Sequence, residues 1–155
     1  MSEATTLSAA LKSIDIGPAW HGPAVQEALD GVTPERALAK PIDGAHSMWE
    51  LVLHMTSWLR YTVGVLRGED GAFEDAYRDW PPVPEDADTE AWKQACRELE
   101  GAVQEVRELM AHCDEARLRE PVPARDFPLK VLLHGIIHHT VYHVGQIVLL
   151  KKAMG

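Results

Sequence analysis

Cysteine is scarce: there are two, Cys96 and Cys113, in a chain of 155 residues. Both fall in one expected helix, about 25 Å apart along its axis at 1.5 Å per residue, so they cannot bridge each other within it. They read as reduced core thiols in a reducing compartment. Clusters of positive charge are also missing. The 15 Lys and Arg are scattered among 24 Asp and Glu, for a formal charge of -9. Phosphate binding needs concentrated Lys and Arg, so no nucleic-acid partner is expected. No segment approaches the roughly 20 uncharged apolar residues of a membrane span. The opening Met-Ser-Glu-Ala-Thr-Thr-Leu has no basic region and no long apolar run, so the expectation is a soluble, cytoplasmic protein. No internal repeat or low-complexity tract is evident.

What is present is helical periodicity. With 46% hydrophobic residues, the chain has the size and apolar content of one compact domain over residues 1–155. A first arm is expected from two short helical patterns, Thr6 to about Ser13 and Pro23 to Leu29, interrupted at Gly17-Pro18 and Gly22-Pro23. The second helix starts at the S-x-x-E capping box Ser47-Met-Trp-Glu50 and should stop at Gly68. Met48, Leu51, Met55, Trp58, Thr62 and Leu66 share its apolar face, with His54 at the edge.

An acidic, proline-rich connection from Gly68 to about Asp88 follows. It is long for a bundle loop, which suggests a crossover between non-adjacent helix ends or a segment folded over a site. The third helix, roughly Thr89 to Cys113, puts Trp92, Cys96, Leu99, Val103, Val106 and Met110 on one stripe. After a link at Glu120 to Asp126, the last helix runs from near Phe127-Pro128 to Met154, with Lys151 and Lys152 complementing its C-terminal dipole. The reading is all-α, a four-helix bundle with a long connection between its second and third helices.

Histidine is the unusual component: there are eight, four of them within ten residues of the last helix. Leu132, Ile136, His139, His143, Gln146, Ile147 and Leu150 fall within one band of roughly 100°. A second band holds Leu133, Ile137, Val141, Val144 and Val148. So wide an apolar surface exceeds what one core needs, which points to contact with another subunit.

Imidazoles four apart project side by side, roughly 6 Å between Cβ atoms. Two such pairs occur. His139 and His143 lie inside the main band, whereas His134 and His138 lie on the far side with Gly145 and Lys152. A lone His on an apolar face is commonly a satisfied core residue. Two desolvated imidazoles, however, need partners, and a shared metal serves both. His54, on another helix, could complete a three-nitrogen set. Such a set leaves coordination positions free for water or substrate, the pattern of a catalytic site more than of a structural one.

The stretch His139-Thr-Val-Tyr-His143-Val-Gly-Gln-Ile147 resembles the H-x-x-[YH]-H-x-G-Q signature of the DinB/YfiT-like proteins. Ser47-Met-Trp-Glu-Leu-Val-Leu-His54 is similar to their second-helix segment ending in the first ligand. Trp20-His-Gly-Pro23 and Asp79-Trp-Pro81 are further points of likeness. The resemblance implies His54, His139 and His143 as ligands of a divalent ion, usually zinc or nickel. It also implies an unusual connection between helices two and three, and frequent homodimers. Members include thiol-dependent S-transferases and isomerases, alongside proteins of no known activity.

Around this set, Gln146 is a candidate to hydrogen-bond a ligand imidazole or a water on the ion, with simple packing the alternative. Tyr142, off the main band, is a weaker candidate for contact with substrate or cofactor. Glu50 is explained by the capping box and His46 by its position beside that cap. His21 with Trp20 could border the cleft, and Trp80 is either a lid over the metal or an anchor for its loop. Three functional readings stand. One is a metal-dependent enzyme activating a thiolate or water against a small electrophile, with an S-transferase using a low-molecular-weight thiol as its specific form. The second is a non-catalytic metal-binding or stress-associated bundle, and the third a helical bundle without metal.

Overall fold

The computed structural model describes residues 2–155. Eight helices follow one another: α1 (Glu3–Ile16), α2 (Val25–Leu29), α3 (Pro34–Leu38), α4 (Met48–Leu66), α5 (Phe73–Ala76), α6 (Thr89–Ala111), α7 (Glu115–Arg119) and α8 (Leu129–Ala153). There are no strands among the described residues. The four long helices form the bundle, with α1 packing on α6, α6 on α4, α4 on α8 and α8 on α1.

Direction follows from the pairs in contact. Trp49 packs on Trp92 near the start of both α4 and α6, and Arg60 and Arg67 pair with Glu105 towards their ends. These two neighbours are therefore parallel. By contrast, Ser8 Oγ donates to the Arg107 carbonyl, while Asp15 and Leu99 line one cavity at the other end, so α1 is antiparallel to α6. His54 meets His139 and His143, while Leu51 shares a cavity with Leu150, which sets α4 antiparallel to α8.

This arrangement explains the long connection. A chain leaving the end of α4 must return about 28 Å, the length of a 19-residue helix at 1.5 Å per residue, before it can begin α6. The joined helices are adjacent, but their joined ends lie at opposite ends of the bundle. On its way back the connection runs across the flank of α4 at Asp79 and Trp80.

Local chemistry accounts for the boundaries. Ser47 and Glu50 close the expected capping box: the Glu50 N–H donates to Ser47 Oγ at 3.2 Å, and the Ser47 N–H to Glu50 Oε2 at 2.7 Å. Asp88 caps α6 through the Ala91 N–H, and Gly17, at φ +76°, ends α1. Met48, Trp49, Leu51, Met55 and Leu59 of α4 are almost wholly buried, each contributing about 1.5–3 kcal/mol of hydrophobic stabilisation. Thr56, Thr62 and Thr140 return their hydroxyls to carbonyls one turn back, which satisfies them inside the core.

Several expectations need correction. The first arm is α1 alone, longer than Thr6 to Ser13, because Ser2 caps it and Ala4, Leu7, Leu11 and Ile14 give it a full apolar stripe. The Pro23 to Leu29 pattern forms only the short α2. The helix α3 was not expected, although Thr33-Pro34 carries a start signal, with the Thr33 hydroxyl accepting from Arg36. Cys113 lies beyond the end of α6, so the two cysteines do not share a helix; both are free and partly buried. The second band of α8 serves this chain's own core: Leu133, Ile137 and Val144 are buried, and Val141 and Val148 pack against them. The large apolar side chains that α8 leaves exposed are Val131, Tyr142 and Leu149.

Candidate metal centre

Three imidazoles converge where α4 faces α8. His54 Nε2 lies 2.8 Å from His139 Nε2, and His143 Nε2 lies 3.0 Å from the same atom. One nitrogen from each ring falls within 4.8 Å of the others. His54 and His143 are each 5% exposed, and His139 is half-buried. A tetrahedral ion bonded at about 2.0–2.1 Å holds its ligand nitrogens roughly 3.3 Å apart. The two separations to His139 fall within about half an ångström of that value, and the third pair lies within 4.8 Å, so modest ring rotations bring all three around one ion.

Proton accounting gives an independent test of that fit. A neutral imidazole carries a single N–H. His54 Nδ1 donates to the Asp79 carbonyl at 2.6 Å, and His143 Nδ1 donates to Gln146 Oε1 at 2.5 Å. Both acceptors lack a proton to give, so each fixes the tautomer whose Nε2 is a bare lone pair. Those two lone pairs face His139 Nε2. Burial, reinforced by the positive charge His143 and His54 would carry, pushes His139 down to about 3, so it too holds one proton at neutral pH. That proton can satisfy only one of the two lone pairs. If it moves to Nδ1, it enters a buried position with no partner among the described residues. A cation at the centre of the three nitrogens resolves the mismatch. His143 is also lowered, first by burial, which keeps it a competent donor.

The connection closes over this cluster. Trp80 stacks flat on His54, ring centroids 3.9 Å apart and planes 6° off parallel. On its other face it stacks on His46 at 3.5 Å. The Trp58 indole N–H donates to Asp79 Oδ1 at 2.8 Å, and that same carboxylate oxygen lies 3.3 Å from His54 Nδ1. Asp79 thus grips the His54 ring by its backbone and braces it by its side chain.

The other candidates divide. Gln146 orients His143, as described, and Trp80 covers the cluster. Tyr142 is 64% exposed, its ring centroid 5.0 Å from that of His143 on the outer surface. Trp20 is fully exposed and His21 is exposed, so that dipeptide borders no cleft. Glu50 completes its cap and also pairs with Lys40 at 2.8 Å. His46, expected at the surface beside the cap, is exposed there, 3.4 Å from Glu50 Oε2, and it also forms the outer layer of the Trp80 stack. The role of Asp79 was not expected; its signal was the Asp-Trp-Pro tripeptide, but nothing in the sequence aligns residue 79 with residue 54.

The fold and site define an all-helical protein with a possible three-histidine metal site between its second and fourth long helices. The DinB superfamily profile matches residues 20–147. The chain belongs to the DinB superfamily. No curated protein and no solved structure matches it. Among the described residues, no helix is long and apolar enough to cross a membrane.

Proposed function

We propose that this protein is a metal-dependent enzyme, with His54, His139 and His143 as the ligands of a divalent ion, zinc or nickel, and a small electrophile as substrate. The observation that carries the reading is the pair of tautomer-fixing hydrogen bonds, Asp79 carbonyl to His54 and Gln146 to His143. Together they aim two nitrogen lone pairs at one point, where the single His139 proton can satisfy only one of them. Three neutral donors without a thiolate leave the ion its full positive charge and at least one open position. When bound, such an ion supplies a Lewis acid that lowers the pKa of a thiol or water. The residues of this chain hold the rings in register, and Trp80 keeps water from the outer face of His54. A low-molecular-weight thiol, transferred to the electrophile, is the co-substrate we favour.

A second reading has its own support. His54 and His143 are buried, and Trp80 lies flat on the His54 ring, features that also suit a closed site stapling α4 to α8.

Two measurements decide between these readings. Metal content of the purified protein should fall by one equivalent in the His139→Ala, His143→Ala double variant; equal metal in both rejects the ligand assignment. Thiol conjugation across a panel of small thiols and electrophiles should be lost on chelation and restored by the ion. Unfolding on chelation, with no turnover of any pair, favours the staple.

A further inference from the structure

The far face of α8 carries the other histidine pair. His134 and His138 stand one turn apart with ring centroids 6.4 Å from one another, and both are exposed. A third donor arrives from the opposite end of the chain: Glu3 Oε1, in the first turn of α1, lies 3.0 Å from His134 Nε2. We propose that His134, His138 and Glu3 form a second, solvent-facing site for a divalent transition metal.

The physical case rests on donor type, reach and freedom. Side chains at i and i+4 on a helix meet naturally, and two imidazoles at that spacing can share an ion. Exposed side chains rotate on the picosecond to nanosecond scale, so these two exposed rings are free to turn towards a shared ion. Glu3 is already drawn against His134, and it adds the negative charge that two neutral imidazoles lack. Two nitrogens and one carboxylate favour zinc, nickel or copper(II) over magnesium or calcium, which prefer an all-oxygen shell. The pair lies well over 90° around the helix from His139 and His143 at about 100° per residue, so the two sites share no donor. An ion here would tie the start of α1 to the second turn of α8, and it would be in ready exchange with solvent.

Calorimetric titration of tag-free, metal-stripped protein with Ni²⁺ tests this. The expected result is that His134→Ala, His138→Ala lowers the stoichiometry of the wild type by one equivalent. Glu3→Gln should keep that equivalent but bind it more weakly, and Mg²⁺ should give no heat at this site. Because the two histidines are exposed, the variant should retain its helical circular dichroism. As a second readout, Ni²⁺ added to protein preloaded with one equivalent of Zn²⁺ should broaden the His134 and His138 ring signals before those of His21 and His112. Equal stoichiometry and affinity in wild type and variant, or uniform broadening of all exposed histidines, overturns the proposal. Failure of the buried centre reads differently: the wild type would then bind a single ion, and the His134→Ala, His138→Ala variant none.

Discussion

Gln146 touches the centre only through His143, yet it decides which nitrogen of that ring is bare. Gln146→Leu removes the acceptor at about the same volume, leaving His143 Nδ1 without its 2.5 Å partner. Metal affinity measured by chelator competition should fall on the order of 10–100-fold while the fold is retained. Unchanged affinity would mean that the tautomer is set by something else. His139 provides a second prediction at this scale. Its pKa lies near 3 in the folded chain against 6.5 for the free side chain. Between those values the unfolded chain binds a proton that the folded chain does not. This contribution is therefore complete above about pH 6.5 and is lost as pH falls towards about 3. Urea midpoints of the metal-free protein should decline on acidification from pH 7 to pH 4, and less steeply in His139→Leu. The imidazole set itself was legible in the sequence, because an i,i+4 pair on an apolar face is a one-dimensional pattern. Asp79 was not, since its relation to His54 depends on how a loop with no periodicity returns along the bundle.

Among the elements, α4 and the connection after it carry the most consequence. The Ser47 cap secures the start of the helix that presents His54 two turns later, and Ser47→Ala should cost about 0.5–2 kcal/mol in thermal or urea unfolding. Trp80→Ala uncovers one face of His54 and releases His46. Metal release to a strong chelator should accelerate with little change in helix content; an unchanged release rate would reduce Trp80 to a loop anchor. Capping and stripe signals located α4 and α6 to within a residue or two, because Ser47 and Asp88 cap them; α8, which has no side-chain cap, was located by its long apolar run after Pro128. The short helices α3, α5 and α7 escaped notice because one turn gives no periodicity to read. The start of α1 was missed because its first turn, Glu3 to Thr6, carries only the small Ala4 on the buried stripe, and its end because Ile14 lies so close to Gly17-Pro18.

Across the whole molecule, an ion bound by His54, His139 and His143 would hold α4 to α8 and so link stability to metal. An ion that binds only the folded state adds about 2.7 kcal/mol when its free concentration is a hundred times Kd. The melting temperature should rise with added zinc or nickel, and His139→Ala, His143→Ala should abolish most of that rise. A persistent rise in that variant, removed by further replacing His134 and His138, would belong to the outer site. Helix directions were beyond the reach of sequence reasoning, since a hydrophobic stripe reads the same whether its neighbour runs up or down. Yet the length of the connection hinted at the outcome, as only parallel neighbours need so long a return.

The three imidazoles come from residue 54 and from residues 139 and 143, so the buried centre spans most of the chain's length. While the protein is being synthesised, the first of these rings waits through some 85 residues of further elongation. It cannot capture an ion in the company of its partners until α8 has been made and docked. Assembly of the three-histidine cluster is thereby deferred to the completed fold, and a chain halted before α8 leaves the ribosome without it.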